Sequence, residues 1–215
     1  MRLRPRIVYA MHDSPLGTLG LAATDHGLAS LMMRVNEAAY VHSLQSHHNV
    51  DLLAQERPLE AAGLAPDGIV GPHAAGEGSS GLNATRILTR TRLFLDRYFA
   101  GKQITFEGPF DLLQGTLFQR SVWATLLTIP YGEVRSYRWL AGTVGHPGAF
   151  RAVGTANGQN PIAILIPCHR VVNHGGGLGG YSGGLDAKRR LLALEKVPLA
   201  ALTQQSMLEV RALNG

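Results

Sequence analysis

The run Asn160-Pro161-Ile162-Ala163-Ile164-Leu165-Ile166-Pro167-Cys168-His169-Arg170-Val171-Val172 decides how the chain is read. Consecutive apolar residues over 162–166, rich in β-branched types, predict a buried strand. Pro167 cannot donate to a sheet ladder, so that strand must end or kink there before Val171 and Val172 resume it. The kink is expected to expose Cys168 beside His169 and Arg170. Their positive charge would lower the thiol pKa and favour the nucleophilic thiolate. A buried, inert side chain is the commoner fate of a lone cysteine, but the proline and the two adjacent bases favour a reactive thiol. Cys168 is the only cysteine among 215 residues. An internal disulfide, a CxxC zinc site and a dithiol redox motif are therefore excluded.

Downstream, Leu185 to Lys196 predicts a helix with Glu195 near its end. Glu195 follows Leu191 and Leu192 by four and three residues, which places it on the apolar stripe. A carboxylate there also opposes the helix dipole, so a partner is expected. His169 is the candidate, giving a Cys–His–Glu relay in which an oriented base serves a nucleophile; a solvated helix-end glutamate is the bland alternative. Between the two, Gly175, Gly177 and Gly180 match G-x-G-x-x-G. No second βαβ strand can follow, so the dinucleotide reading fails its own context.

Upstream, Leu117 to Leu127 is helical, with Phe118, Val122 and Leu126 on one stripe. Pro130 and the Tyr131-Gly132 turn end it. Ser136 is placed to cap a helix through Val144. After Gly145-His146-Pro147, with Pro147 at its first position, a third helix is expected over about 148–157. Two short helices joined by a tight turn resemble a helix-turn-helix. The third helix carries Gly154, Thr155, Ala156 and Gly158, with Arg151 as its one long basic arm. Such small residues allow close packing on a neighbouring helix, or close approach to a ligand.

The first half looks different. Arg6 to Met11, Leu16 to Ala23 and Leu28 to Met33 predict strands, with Asp25-His26-Gly27 as a turn. Residues 36–60 lean helical, the Gly-, Ala-, Pro- and Ser-rich 61–81 predict a flexible linker, and Asn83 is placed to cap a helix over 84–99. His42, His47 and His48 lack acidic or cysteine partners at ligand spacing, so no metal site is expected. Acids and bases cancel in residues 1–108. Residues 109–200 hold nine Lys/Arg against Asp111, Glu133, Asp186 and Glu195, which is the whole net charge of +5. A basic half beside a neutral half fits a polyanion-facing domain. With 45% hydrophobic residues the chain is a folding one. No apolar run approaches a membrane span, and none at the start makes a signal-peptide core, so a soluble, cytoplasmic protein is expected.

The opening run, followed by Tyr181-Ser182-Gly183-Gly184-Leu185, resembles the active-site signature of the O6-alkylguanine-DNA alkyltransferases. Phe118-Gln119-Arg120-Ser121-Val122-Trp123, Tyr131-Gly132-Glu133-Val134, Ser136-Tyr137 and Arg151-Ala152-Val153-Gly154 match that family in order and spacing. Ser14-Pro15-Leu16-Gly17 resembles its N-terminal domain more weakly. The resemblance implies an α/β (α+β) fold: a ribonuclease-H-like α/β domain over 1–108, with its flexible segment about 61–82, then a mostly helical domain with a winged helix-turn-helix over 109–200, and a tail over 201–215. It implies irreversible transfer of an alkyl group from O6-alkylguanine, with O4-alkylthymine as a further candidate, in double-stranded DNA. The expected partner is DNA and the protein a monomer, with cooperative assembly on DNA left open. No cofactor or metal is implied. The compartment is the cytoplasm or nucleoid in a bacterium and the nucleus in a eukaryote.

Carried over by resemblance, Cys168 is the alkyl acceptor, His169 its base through a water, and Glu195 the group that orients His169. Asn160 is the hinge between recognition helix and active site. Arg151 enters the duplex in place of the extruded nucleotide, with Ser136, Ala152 and Gly154 on the DNA face. Tyr137 sits at the 3′ phosphate and donates to the purine N3. Ser182 helps bind O6, Tyr181 walls the pocket, and the carbonyls of Cys168 and Val171 receive the exocyclic amine. The chain departs from the family pattern at Asn157-Gly158-Gln159, where some relatives carry a bulky apolar residue and an arginine, and at Ala163, where some carry proline. The alternative is a non-enzymatic sensor of alkylated DNA, like relatives that lack the cysteine; Cys168 argues against it. A Cys/His hydrolase would use the same relay, but the helix-turn-helix and the charge asymmetry give it no support.

Overall fold

A computed structural model describes residues 6–48, 53–55, 82–175 and 177–198. The expected linker over 61–82, apart from Leu82 at its end, and the tail over 201–215 lie outside the described residues. The chain divides into two compact units: one from residues 1–96 and 106–113, the other from 97–105 and 114–215.

The first unit is built on a mixed sheet of β1 (Ile7–His12), β2 (Leu19–Thr24), β3 (Gly27–Met33) and β4 (Leu53–Gln55), in the order β3-β2-β1-β4. The first three form an antiparallel meander and β4 joins β1 in parallel. Between β3 and β4 runs helix α1 (Glu37–His48). Every residue of β2 is buried, which suits a central strand covered on both faces. Gly20 makes the cover possible on one side: a Cβ there would lie 2.5 Å from the ring of Tyr40, a fully buried residue of α1. Ile7, Ala22, Tyr40 and Leu44 form the core beneath α1. The helical expectation for 36–60 holds only to His48; the three residues of β4 are recruited by pairing with β1, a long-range contact that local propensity does not encode.

Helix α2 (Leu82–Phe99) buries Ala84, Ile87, Leu88, Thr91, Leu95 and Tyr98 at helical spacing. Asn83 is not its cap. It lies inside the helix and donates from Nδ2 to the Asp25 carbonyl, while Asp25 Oδ1 accepts the Ala84 N–H at 3.3 Å. The turn between β2 and β3 thus supplies the acceptor that the helix start needs.

In the second unit, α3 (Leu117–Leu126) starts in a reciprocal capping box of Thr116 and Gln119. Then follow β5 (Arg135–Ser136), α4 (Tyr137–Thr143) and α5 (Phe150–Gly158). Ser136 caps α4, its hydroxyl accepting the Trp139 N–H at 3.1 Å. Pro147 does not open α5: the helix begins three residues later with Ala149 as N-cap, because His146–Ala149 closes a turn through the Ala149 N–H to His146 carbonyl bond of 2.9 Å. The three helices pack on one another, pinned where Trp123 Nε1 donates to the Ala156 carbonyl at 2.8 Å. A short β6 (Val171–Val172) pairs in parallel with β5, and α6 (Leu185–Leu194) follows. No helix among the described residues is long and apolar enough to cross a membrane.

The strand expected over 162–166 is not there. Its residues are buried, yet they run as turns, with Ile164 at φ 70°. The Asn160 carboxamide replaces the ladder: Oδ1 accepts the Ile162 N–H at 3.0 Å and Nδ2 donates to the Ile166 carbonyl at 2.7 Å. With its ends tied to one side chain, the apolar run closes into a buried loop and delivers Cys168 beyond it.

Candidate active site

Cys168 opens a single 3-10 turn over Cys168–Arg170. The expectation of an exposed thiol is wrong: Cys168 is 2% exposed. The expectation of a lowered thiol pKa is wrong too. Burial pushes it up, against opposing pulls from the Asn160 hydrogen bond and the Lys188 charge. The physical reason is where the bases go. The guanidinium of Arg170 turns to Glu195 rather than to sulfur, and His169 is also pushed down by burial, which outweighs the pull of Glu195, leaving a neutral imidazole. The thiol therefore rests protonated. Asn160 reaches it directly, Nδ2 donating to Sγ at 3.1 Å while also holding the Ile166 carbonyl.

Glu195 is the C-cap of α6 and 1% exposed, on the buried face with Lys188, Leu191 and Leu192. Its carboxylate gathers four partners. Oε1 accepts from His169 Nε2 at 2.8 Å, from the Tyr98 hydroxyl at 2.7 Å and from Arg170 Nη2 at 2.9 Å. Oε2 accepts from Arg170 Nε at 2.8 Å and the Gly132 N–H at 3.4 Å. Burial alone would raise its pKa, but the bonds and charges of His169 and Arg170 hold it well below the usual carboxylate range. Arg170 is fixed in turn by the Ile129 carbonyl at 2.7 Å, with its guanidinium 5.9 Å from the centre of the Tyr131 ring.

The protonation states follow from this. An ionised Glu195 accepts only, so a neutral His169 carries its proton on Nε2 and presents a bare lone pair at Nδ1. That Nδ1 is buried with no hydrogen-bond partner. It is a base in want of a proton, next in sequence to the thiol. Protonating it would remove that lone pair, and burial has moved its pKa below the ordinary 6.5. The acid limb of any His169-dependent reaction is accordingly expected below pH 6.5. A pH profile of the single-turnover rate with its inflection at or above 6.5 would contradict this protonation scheme.

Tyr137 and Tyr181 lie near the thiol, and the 178–180 segment packs against Tyr137. Tyr137 is half-buried, and its hydroxyl donates to the Gly180 carbonyl at 3.4 Å. Gly179, at φ 67°, passes against its ring so closely that a Cβ would lie 2.8 Å from Cε2. Burial and the nearby Cys168 charge raise the pKa of Tyr137, against a hydrogen bond from Asn157, and those of Tyr181 and Cys168 are likewise raised. Both phenols are therefore donors at neutral pH. The Tyr181 ring centre lies 6.5 Å from that of His169. Lys188, fully buried, donates from Nζ to the carbonyls of Val171 at 2.6 Å, Leu178 at 2.5 Å and Gly180 at 3.3 Å; burial pushes its pKa down to about 8. It staples the pocket wall to α6.

The structure thus brings Cys168, His169, Glu195 and Asn160 together, with Tyr137 and Tyr181 beside them. Val171 is fully buried and its carbonyl is held by Lys188. Arg151 and Ala152 are exposed on α5, a Cβ on Gly154 would lie 3.9 Å from the Tyr137 ring, and Ser136 spends its oxygen on the α4 cap. Ser182 is exposed in the turn before α6. Sequence reasoning missed Arg170, Tyr98, Lys188 and Asn157. Lys188 had a signal, since it shares the helical stripe of Leu191, Leu192 and Glu195. Tyr98 had none, lying ninety-seven positions from Glu195. Among the described residues no cluster of three His, Cys, Asp or Glu side chains could hold a metal ion.

The chain is similar to known proteins over both halves. Residues 7–112 match the ribonuclease-like domain of 6-O-methylguanine DNA methyltransferase and residues 117–197 match its DNA-binding domain. A methylated-DNA–protein-cysteine methyltransferase of Mycobacterium tuberculosis is 43% identical over 88% of this chain and 93% of its own length. One from Methanosarcina acetivorans is 36% identical over 87% and 97%. The crystal structure of Mycobacterium tuberculosis OGT in complex with DNA superposes with a TM-score of 0.65 at 37% identity, covering 91% of this chain and 99% of that one. With both domains matched in order and relatives aligned over nearly their full length, the chain belongs to the O6-alkylguanine-DNA alkyltransferase family.

Proposed function

We propose that this protein is a methylated-DNA–protein-cysteine methyltransferase that repairs O6-alkylguanine in duplex DNA by moving the alkyl group to Cys168. The observation that carries the reading is a buried protonated thiol placed beside a neutral histidine whose outer nitrogen is locked by an ionised glutamate. The Cys168 proton passes through a water to His169 Nδ1. The sulfur then attacks the alkyl carbon, the S–C bond forms and the C–O6 bond breaks. The electron pair stays on the guanine, where a Tyr137 hydrogen bond at N3 stabilises the leaving base. Arg170 keeps Glu195 ionised throughout, so the base stays correctly oriented. The product is a thioether that thiol exchange does not reverse, so each molecule acts once.

The stacked O6 is out of reach in a duplex, so the nucleotide is extruded into the pocket at a cost of a few kcal/mol. Helix α5 supports this step: its face of exposed Ala152 and Thr155 and half-buried Gly154 has side chains short enough for close approach to a minor groove, and exposed Arg151 is placed to fill the vacated stack. The excess of bases in residues 109–200 supplies phosphate neutralisation. Duplex affinity is expected to fall linearly on a log scale with salt, by about 0.9 per phosphate neutralised. Stopped-flow fluorescence of a base analogue beside the lesion should show Arg151→Ala slowing extrusion while the salt slope is kept. A flat salt profile, or extrusion unaffected by Arg151→Ala, would overturn this view of the DNA face.

A further inference from the structure

Tyr98 lies in the stretch that matches the ribonuclease-like domain, and residues 97–105 count with the second compact unit. It stands in the last turn of α2, 1% exposed, its ring edge-on to Phe99 at 5.5 Å and to Tyr131 at 6.1 Å. A phenol has one O–H to give. This one goes to Glu195 Oε1 at 2.7 Å, the oxygen that also accepts from His169 Nε2 at 2.8 Å and from Arg170 Nη2 at 2.9 Å. Burial and the Glu195 charge raise the phenol pKa well above the ordinary 10.0, so the donor keeps its proton at neutral and acid pH. Arg170 already grips both carboxylate oxygens. The hydroxyl adds what that ion pair does not: a neutral donor on the oxygen to which His169 is bonded.

We infer that Tyr98 is a positioning residue for alkyl transfer, its hydroxyl sharing Glu195 Oε1 with His169 and so setting how strongly that histidine holds a proton. The inference rests on the alkyl-transfer reading above and adds to it the group that tunes the base. A carboxylate bonded to an imidazole favours the charged imidazolium, and a further donor on the same oxygen weakens that pull. The groups facing His169 are Glu195 and Lys188 from α6 and Arg170 from its own turn, with Cys168 next in sequence and the Tyr181 ring centre 6.5 Å away. Burial, Arg170 and Lys188 disfavour the imidazolium, and Glu195 favours it. Tyr98 acts on the attractive partner. An imidazole already protonated at rest could not take the Cys168 proton, so weakening that attraction keeps Nδ1 free to act as base.

The test is the single-turnover rate of the full-length protein on a duplex carrying O6-methylguanine, followed from acid to mildly alkaline pH. Tyr98→Phe keeps the ring contacts and removes only the oxygen. Its acid inflection is expected to lie about half a unit to one unit above that of the unsubstituted protein, the pKa equivalent of one hydrogen bond. A tyrosine with one ring fluorine, placed at position 98 by codon suppression, keeps the hydroxyl and makes it a stronger donor. Its inflection is expected to move down. That second protein decides alone should the Tyr98→Phe protein fail to fold or to react. A hydroxyl with a structural role only would lower the thermal midpoint and slow transfer by one factor at every pH, leaving the inflection where it is. That result would overturn the proposal, as would a shift of the opposite sign in either protein. No transfer by the unsubstituted protein at any pH would instead sink the alkyl-transfer reading, and the role of Tyr98 with it.

Discussion

Cys168→Ala is expected to abolish alkyl transfer completely while leaving the affinity for a lesion-bearing duplex within a few-fold. Sγ is the only thiol in the chain, and Asn160 Nδ2 donates to it at 3.1 Å. Removing it takes out the bond-forming atom but neither the α5 face nor the Tyr137 and Tyr181 walls. Loss of a buried sulfur in a small residue leaves a cavity of modest size, so the domain is expected to fold. Gel-shift or anisotropy titration reports the binding, and transfer of a labelled methyl group to protein reports the chemistry. Transfer that persists in the alanine protein would refute Cys168 as acceptor. Loss of lesion binding along with transfer would mean that the sulfur holds the base rather than only attacking it.

The second large effect falls on Glu195. Glu195→Ala removes the carboxylate that neutralises Arg170, whose side chain is 12% exposed, and that satisfies His169 and Tyr98. Taking one partner from a buried pair leaves the other charge uncompensated and costs about 3–5 kcal/mol. A thermal midpoint lower by on the order of 10 °C is the expected reading. The stability belongs to the network rather than to any one pair, so Arg170→Ala is expected to be comparably harmful, by stranding Glu195. Glu195→Gln keeps the shape but cannot remain an all-accepting group. It is expected to slow transfer by about 10²–10⁴, the usual worth of a positioned base, because His169 is no longer held with its lone pair at Nδ1. A Glu195→Ala protein that melts within 2 °C of the parent would show that the cluster is not what holds this part of the second unit.

Both predictions depend on features that differ in how far the sequence discloses them. Glu195 is legible as a demand for a partner, because a carboxylate at i+4 and i+3 from two leucines falls on the apolar stripe, although a solvated helix end is the bland alternative. His169 as that partner is legible from the Cys-His run. Arg170 is not, since a neighbouring base reads equally as a pKa-lowering charge on the thiol, and only the turn at Cys168–Arg170 sends it the other way. Ser136 as a cap, and the three strands of the meander, follow from local chemistry that no long-range contact overrides. The run over 162–166 misleads for the opposite reason. Its residues have strand propensity and are buried as strand residues would be, but one side chain, Asn160, supplies the hydrogen bonds that a ladder would have supplied. Propensity reports what fits a half-buried pleated surface; it does not report a carboxamide that takes both ends of the run. The thiol pKa fails similarly, because burial of Cys168 is a tertiary fact.

The central claim is that the lesion's alkyl group ends on Cys168, once per molecule. Intact-protein mass spectrometry after mixing equimolar protein with a duplex carrying one O6-methylguanine, followed by peptide mapping, tests it most directly. The expected result is a gain of one methyl group per chain, mapped to Cys168 and not increased by a further excess of lesion. No gain alongside lesion-selective binding would make the protein a sensor of damage and contradict the transfer mechanism; a gain mapped to any residue other than Cys168 would contradict the site.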